Sequence, residues 1–274
     1  MNLPDMTKLL RILSFLIYIA FFTSCDAVEY SPNQKFNKHT PVAVNEREIK
    51  KLSTKTPGSK IKVAITGDTQ RNYKESIDLV RYLNALDDID FVVLNGDISD
   101  FGLLLEFNGI YKIYDDLKMP FISVVGNHDL VANGKSIYMR MFGPLNFSFI
   151  YGGIKFICHD TNGREYNFDK TTPNIPWLKA ELKPSADFTH AIAISHVPST
   201  DGDFDPNLAS DYEALMNADK NILASIHSHQ HQAQRIYYTQ RGGTPFIITN
   251  AIVNRSFTLL EIENGTINAQ EIKY

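Results

Sequence analysis

Cysteine is nearly missing from this chain. Cys25 and Cys158 are the two present among 274 residues, which excludes a disulfide-stapled scaffold. A basic excess is missing too: 27 Lys and Arg stand against 31 Asp and Glu, a formal charge of -4. Proteins that coat nucleic acid carry a positive surplus, so no stable nucleic-acid binding is expected. Internal repeats and long low-complexity tracts are lacking, which removes solenoids and tandem arrays. The apolar run at residues 12–22 falls short of the roughly 20 residues that a comfortable membrane span needs. What the chain does have is a 43% hydrophobic share with 21% charged residues. That suffices for one good-sized core and reads as a single large α/β domain.

The N-terminus reads as a targeting segment rather than as fold. Lys8 and Arg11 precede the apolar core, and Thr23-Ser24-Cys25 follow it. A cationic flank, a short apolar core and a small residue describe a secretory signal. Phe22-Thr23-Ser24-Cys25 also resembles a bacterial lipobox, with Phe where Leu is usual, in which the cysteine carries lipid. The expected organisation is therefore a lipoprotein signal peptide over 1–24, a polar tether over 25–58 and a folded domain over 59–274. This makes the protein exported and held to a membrane through Cys25. With Cys25 so used, Cys158 has no partner and reads as a small core residue.

Within the domain, apolar runs alternate with helical spacing. Residues 61–65, 91–94 and 121–125 read as buried strands, with helices over about 75–86 and 101–117 between them. Residues 147–151 and 154–159 form a hairpin around Gly152-Gly153. A helix over 176–182, a strand over 191–194, a helix over 207–218 and a strand over 222–226 follow. A meander is expected last, from strands 234–239, 245–249, 256–262 and 266–272.

The strands share an ending. Phe91-Val92-Val93-Leu94-Asn95 delivers Gly96-Asp97, and the same order of apolar run, small residue and polar ligand type recurs. It appears at Gly67-Asp68, Gly126-Asn127-His128, Ser195-His196 and Ser228-His229. Carboxyl ends of strands are where open α/β sheets collect ligands. Carboxylates, an amide and imidazoles suit Mn, Fe, Zn or Ca rather than thiolate-seeking metals. A carboxylate can span two ions about 3.5–4 Å apart, and Asp97 is the candidate for that bridging place.

The ordered set Gly67-Asp68-x-Gln70, Gly96-Asp97-x-x-Asp100, Gly126-Asn127-His128-Asp129, Ser195-His196 and His229-x-His231 resembles the calcineurin-like metallophosphoesterase superfamily. Trp177-Leu178 ahead of the Ser-His-x-Pro strand resembles its cyclic-nucleotide phosphodiesterase-like branch. The resemblance runs from about Lys60 to the C-terminus. It implies a four-layer α/β/β/α sandwich of two mixed sheets with two divalent or trivalent ions, Mn, Fe or Zn, at the strand ends. It places Asp68, Asp97 and His231 at the first ion, and Asp97, Asn127, His196 and His229 at the second. His128 would bind no metal and would assist the leaving oxygen. The substrate implied is a small phosphate ester, with a nucleotide-type phosphodiester favoured over a monoester. A metal-binding surface lipoprotein with weakened catalysis is the contrasting reading. The sequence fixes no oligomeric state.

Two departures leave choices open. Gln70 stands where the family has His, and is either a ligand or an orienter of water. The closing histidines are read as His229-x-His231, since Ser228 suits a tight turn better than Ile226 does, with His227-x-His229 as the other register. Asp100 reads as a helix cap for residue 101 onward. Asp129 is a catalytic candidate that orients His128 or else is merely solvated. His159 reads as structural and His190 as a surface residue.

Overall fold

The computed structural model describes residue 8, residues 11–15 and residues 35–274. Two compact units are distinguished, 1–38 and 39–274. In the first, residues 11–15 are helical. Cys25 and most of the expected signal segment lie outside the described residues. No helix among the described residues is long and apolar enough to cross a membrane.

The second unit opens with α1 (Val44–Ser53), β1 (Lys60–Thr66), α2 (Tyr73–Asn84), β2 (Phe91–Asn95), α3 (Leu104–Tyr114) and β3 (Phe121–Val124). It continues through α4 (Gly134–Met141), β4 (Phe147–Tyr151), β5 (Ile154–Cys158), α5 (Ile175–Glu181), β6 (His190–Ile194) and α6 (Ala209–Met216). β7 (Ile222–His227), β8 (Arg235–Tyr237), β9 (Phe246–Ile248), β10 (Ser256–Glu263) and β11 (Thr266–Lys273) complete it. Two mixed sheets result, in the orders β11-β10-β1-β2-β3 and β4-β5-β6-β7-β9-β8.

Period-two alternation in the strands decides how these sheets meet. Val63 and Ile65 of β1, Phe91 and Val93 of β2, Phe156 of β5 and Ile192 and Ile194 of β6 point into one shared core between the sheets. Ile157, Ala191 and Ala193 point the other way, onto Leu178 of α5 and Tyr212 and Met216 of α6. Tyr114 of α3 packs against Phe121 on the first sheet's outer side, ring centroids 6.0 Å apart. The layers are thus helix, sheet, sheet, helix, as the resemblance implied. Cys158 is fully buried in the inter-sheet core, and burial pushes its thiol pKa up, out of the range of a nucleophile.

The chain departs from expectation in three places. Residues 44–53, assigned to the tether, form α1 and belong to the folded unit. Asn45 Nδ2 donates to the Ser123 carbonyl at 2.9 Å and its Oδ1 accepts from Ser123 N–H at 2.8 Å. This pins α1 beside β3, the edge strand of the first sheet. The helix carries few apolar residues and buries Asn45 and Glu48 beside Val44 and Leu52, so hydrophobic periodicity gave no signal. Second, α3 begins at Leu104 rather than residue 101. The Glu106 carboxylate accepts from the backbone N–H of Phe101 and Leu103 and starts the helix there. Third, the closing strands are no single meander. β8 and β9 join the second sheet and β10 and β11 the first, because β9 pairs with β7 and β10 with β1 across a short turn at Ile252–Asn254.

An aromatic cluster fastens the two sheets. Phe91 lies 5.1 Å from Phe156 at 90° and 5.7 Å from Phe149, and Phe149 stacks on Phe156 at 5.1 Å. Phe91→Ala is expected to lower unfolding free energy by about 3–5 kcal/mol, read by urea titration, because the cavity opens between rigid sheets. A loss under about 1 kcal/mol would mean that the cluster does not carry the sheet packing.

Candidate metal centre

Each strand that ends at the centre hands over its side chain through a tight turn. β1 leads to Asp68, β2 to Asp97, β3 to Asn127 and His128, β6 to His196, and β7 to His229. Asp68, Asp97, His229 and His231 all have positive φ, at 57°, 53°, 74° and 49°. Left-handed backbone at non-glycine residues is costly, and it concentrates at functional sites. Glycine is required where the turns crowd. A Cβ on Gly126 would come within 2.1 Å of the Asp97 amide nitrogen, and one on Gly96 within 2.3 Å of His196 Nδ1.

These turns bring the expected ligands together. Asp97, His196 and His229 form one group whose donor atoms lie within 4.8 Å of one another, and Asp68, Asp97 and His231 form another. Asp97 belongs to both. Asp68, Asp97 and His196 are buried, while the His231 side chain is 48% exposed and lies at the mouth.

The donors face one another at close range. His196 Nε2 lies 3.3 Å from Asp97 Oδ2 and 4.0 Å from Asp68 Oδ1, and His231 Nε2 lies 2.9 Å from Asp68 Oδ1. Despite this proximity, among the described residues both Asp68 oxygens and His196 Nε2 lack a partner with hydrogen-bond geometry. Asn127 Oδ1 and Gln70 Oε1 are equally unpartnered. Buried polar atoms are rarely left so. Several buried oxygens and an imidazole nitrogen without a hydrogen-bond partner match what a cation requires.

The tautomer of His196 agrees with this. Its Nδ1–H donates to the Asn95 carbonyl at 2.7 Å, which leaves Nε2 towards the carboxylates, the usual support of a metal-binding imidazole. Burial alone would depress its pKa, yet the charges of Asp97 and Asp68 raise it to about 10. Burial alone would raise Asp97, yet His196 brings it down to about 2. A field that holds a proton so firmly at His196 Nε2 would hold a metal cation in its place.

Each remaining candidate has a definite place. His128 belongs to neither group; its Nδ1–H donates to the Asp100 carbonyl at 3.0 Å and its backbone N–H to Asp97 Oδ1 at 3.0 Å. Gln70 Nε2 donates to Asp97 Oδ2 at 3.2 Å, so the amide as placed steadies the shared carboxylate. His227 is fully buried inside β7 and belongs to neither group, whereas His229 and His231 do. Asp100 does not cap a helix; its carboxylate receives Arg71, whose guanidinium lies 5.3 Å above the Phe101 ring. His159 is fully buried against Tyr212, and His190 begins β6.

Asp129 needs correction as a catalytic candidate. Oδ1 accepts from Ile98 N–H at 2.9 Å, Ser99 N–H at 2.8 Å and Ser99 Oγ at 3.1 Å, and Oδ2 from Gly126 N–H at 2.8 Å. A carboxylate with no exposed surface and four such bonds touches no substrate. It clamps the Asp97 turn to the Asn127 turn instead. The sequence pattern carries no sign of this, because three of the four bonds come from Ile98 and Ser99, some 30 positions away.

Asp201 and Asp203 also reach the centre without having been singled out. They lie 3.4 and 3.8 Å from His229 Nε2, and Asp203 pairs with Arg164 at 2.7 Å. With His229 they form a third group of possible metal donors; they stand on a loop after β6 rather than at a strand end, so the pattern that picked out the candidate ligands passes over them.

Comparison with known proteins agrees with this geometry. The sequence matches the calcineurin-like phosphoesterase family over residues 61–233, more than half of the chain. A probable cyclic nucleotide phosphodiesterase of Xenorhabdus bovienii is 25% identical over 136 residues, covering 47% of this chain and 54% of that protein. The chain thus spans about half the length of that curated relative. A purple acid phosphatase from yellow lupin seeds shares the fold with a TM-score of 0.61 at 15% identity, over 79% of this chain and 52% of the other. PhoD does so with a TM-score of 0.51 at 8% identity, over 78% and 68%.

Asp129→Asn places an amide N–H₂ against backbone donors. It is expected to weaken metal binding about 10- to 100-fold in a calorimetric titration and to cost about 1–3 kcal/mol of stability. Unchanged metal affinity would remove the clamp from the account.

Proposed function

We infer, from the premise that the chain belongs to the calcineurin-like phosphoesterase family, that it hydrolyses a small phosphate ester at a centre of two metal ions. The observation that carries this reading is the pair of donor groups sharing Asp97. Asp68, Asp97 and His231 would hold one ion; Asp97, Asn127, His196 and His229 would hold the other. Mn, Fe or Zn suits this set of oxygens and imidazoles. When bound, such ions polarise phosphoryl oxygens and acidify water.

Charge supports the same reading. Asp68, Asp97, Asp100, Asp129, Asp201 and Asp203 gather at or behind these turns, while Arg71 and Arg164 are engaged with Asp100 and Asp203. A phosphate ester is an anion, and an uncompensated carboxylate cluster would repel it. Cations reverse that sign. The remaining chemistry falls to His128. Its Nδ1–H is committed to the Asp100 carbonyl, which fixes the ring and leaves Nε2 to hold or hand over a proton at the leaving oxygen. Gln70 and Asp129 keep Asp97 and the His128 turn in place, so the proton is delivered from a fixed position.

A nucleotide-type phosphodiester is the substrate class we favour, in line with the name of the Xenorhabdus relative. Loops at residues 133–140, 162–174 and 200–206 would choose among esters. We extend the proposal to an exported protein anchored through lipid on Cys25, on the strength of the apolar core at 12–22 and the Thr23-Ser24-Cys25 that follows. The contrasting reading, a surface protein that binds metal with weakened catalysis, draws on Gln70, which directs an amide nitrogen rather than an oxygen towards Asp97.

Hydrolysis of aryl monoester, aryl diester and cyclic-nucleotide substrates by the Mn- or Zn-loaded protein tests the choice. Diester or cyclic-nucleotide turnover is expected, abolished by chelator and restored by metal. His128→Ala should lower kcat about 10²- to 10⁴-fold while retaining bound metal. Turnover indifferent to chelator, or unchanged in His128→Ala, would contradict the mechanism.

A further inference from the structure

Beneath the candidate ligands runs a line of buried polar side chains that belong to none of the donor groups. His159 Nδ1 lies 3.2 Å from the Ile157 carbonyl and its Nε2 3.1 Å from the Tyr212 hydroxyl. That hydroxyl lies 2.9 Å from Ser225 Oγ, which lies 2.9 Å from His227 Nε2. His227 Nδ1 in turn lies 3.0 Å from Ser195 Oγ. His159, Tyr212, Ser195, Ser225 and His227 all have no exposed surface. The line joins the end of β5, the body of α6, and the ends of β7 and β6.

We propose that these five side chains form a one-way hydrogen-bond relay that sets the positions of the strand ends carrying His196 and His229, making Tyr212 and His227 positioning residues of the metal centre. The direction follows from one atom. A backbone carbonyl only accepts, so His159 donates from Nδ1 to Ile157. Its neutral ring must then accept at Nε2, so the Tyr212 hydroxyl donates to it. Tyr212 has no second proton, so Ser225 donates to Tyr212 and accepts in turn from His227 Nε2–H. Neutral His227 accepts at Nδ1, from the Ser195 hydroxyl. Along these five contacts each proton is assigned and each link depends on the one before it; the Val197 backbone also reaches the His227 ring, and Ser195 the Tyr212 hydroxyl.

Both rings are fully buried and their nitrogens meet only backbone groups and hydroxyls, so no carboxylate within hydrogen-bond reach favours a charged form. Geometry holds the relay in place. The His227 ring stacks on Phe246 with an interplanar angle of 7°, and the Tyr212 ring packs on Phe204 at 5.3 Å. The relay ends at Ser195, the residue before His196, and passes through His227, two before His229. Backbone bonds complete the frame: Ser228 N–H donates to the His196 carbonyl at 2.9 Å, and His159 N–H to the Ile194 carbonyl at 3.0 Å. Supports of this kind fix ligand orientation, and their loss typically weakens metal binding about 10- to 100-fold.

The functional consequence rests on the reading of His196 and His229 as ligands; the direction of the relay does not. Nitrogen NMR of the imidazoles in metal-free wild-type protein should find His159 as the Nδ1–H tautomer and His227 as the Nε2–H tautomer. His227 as the Nδ1–H tautomer would overturn the relay. Tyr212→Phe removes one hydroxyl and little volume. It should release His227 from a single tautomer and weaken Zn(II) binding about tenfold in a competition titration. Tyr151→Phe, whose hydroxyl bonds Asp90 outside the relay, should leave both unchanged. Should Tyr212→Phe not fold, Ser225→Ala breaks the same line and carries the same expectation. Equal Zn(II) affinity in wild type and Tyr212→Phe, with the expected tautomers, would overturn the positioning role alone. A wild type that binds no Zn(II) would overturn the metal reading and leave the tautomers standing.

Discussion

Negative charge held in a buried place is the constraint on which the rest of this structure depends. Asp68 and Asp97 have next to no exposed surface and stand at the ends of neighbouring parallel strands, facing His196. Burying a carboxylate without a partner costs several kcal/mol even after the surroundings relax. A chain that places two there, on left-handed backbone, has arranged them for a positive partner. His196 with a proton supplies such a charge in the protein alone, and a metal cation supplies a larger one. Both Asp68 oxygens and His196 Nε2 nevertheless lack a partner with hydrogen-bond geometry among the described residues, which leaves them available to a cation.

Holding such a cluster takes structure on every side. Two sheets packed through Phe91, Phe149 and Phe156 bring the strand ends to one edge of the sandwich. Asp129 ties the Asp97 turn to the Asn127 turn through backbone amides, and Asn95 ties β2 to β6 by donating to the Ser195 carbonyl and accepting from His196. The buried line from Ser195 to His159 does the same beneath the histidines. Close approach of these turns leaves no room for side chains at Gly96 and Gly126. Packing, clamp and relay are separate devices that serve one geometry.

Much of this could be read from residues alone, and the reason is local. A strand that ends in a small residue and then a ligand type announces itself within a few positions. Asp68, Asp97, Asn127, His128, His196 and His229 were therefore visible, and the recurrence of the pattern made a sandwich with ligands at strand ends legible. What escaped depends on distant partners. Residues 44–53 read as a tether because the contacts that hold α1, Asn45 on Ser123 among them, reach partners as far as 78 positions away. Asp129 looked catalytic or solvated because its partners are amides of the Asp97 turn. The closing strands looked like one meander because the sheet each one joins is set by tertiary pairing rather than by alternation. His227 was left between two registers, since three histidines in five residues look alike until burial separates them.

The proposed function turns on one carboxylate, Asp97, shared by two cations. Native mass spectrometry of the folded protein titrated with Zn(II) tests it most directly, by counting ions per chain in wild type, His231→Ala and Asp97→Asn. Two ions are expected in wild type, one in His231→Ala, and neither at the same metal concentration in Asp97→Asn. Two ions retained by folded Asp97→Asn, or none bound by wild type, would contradict it.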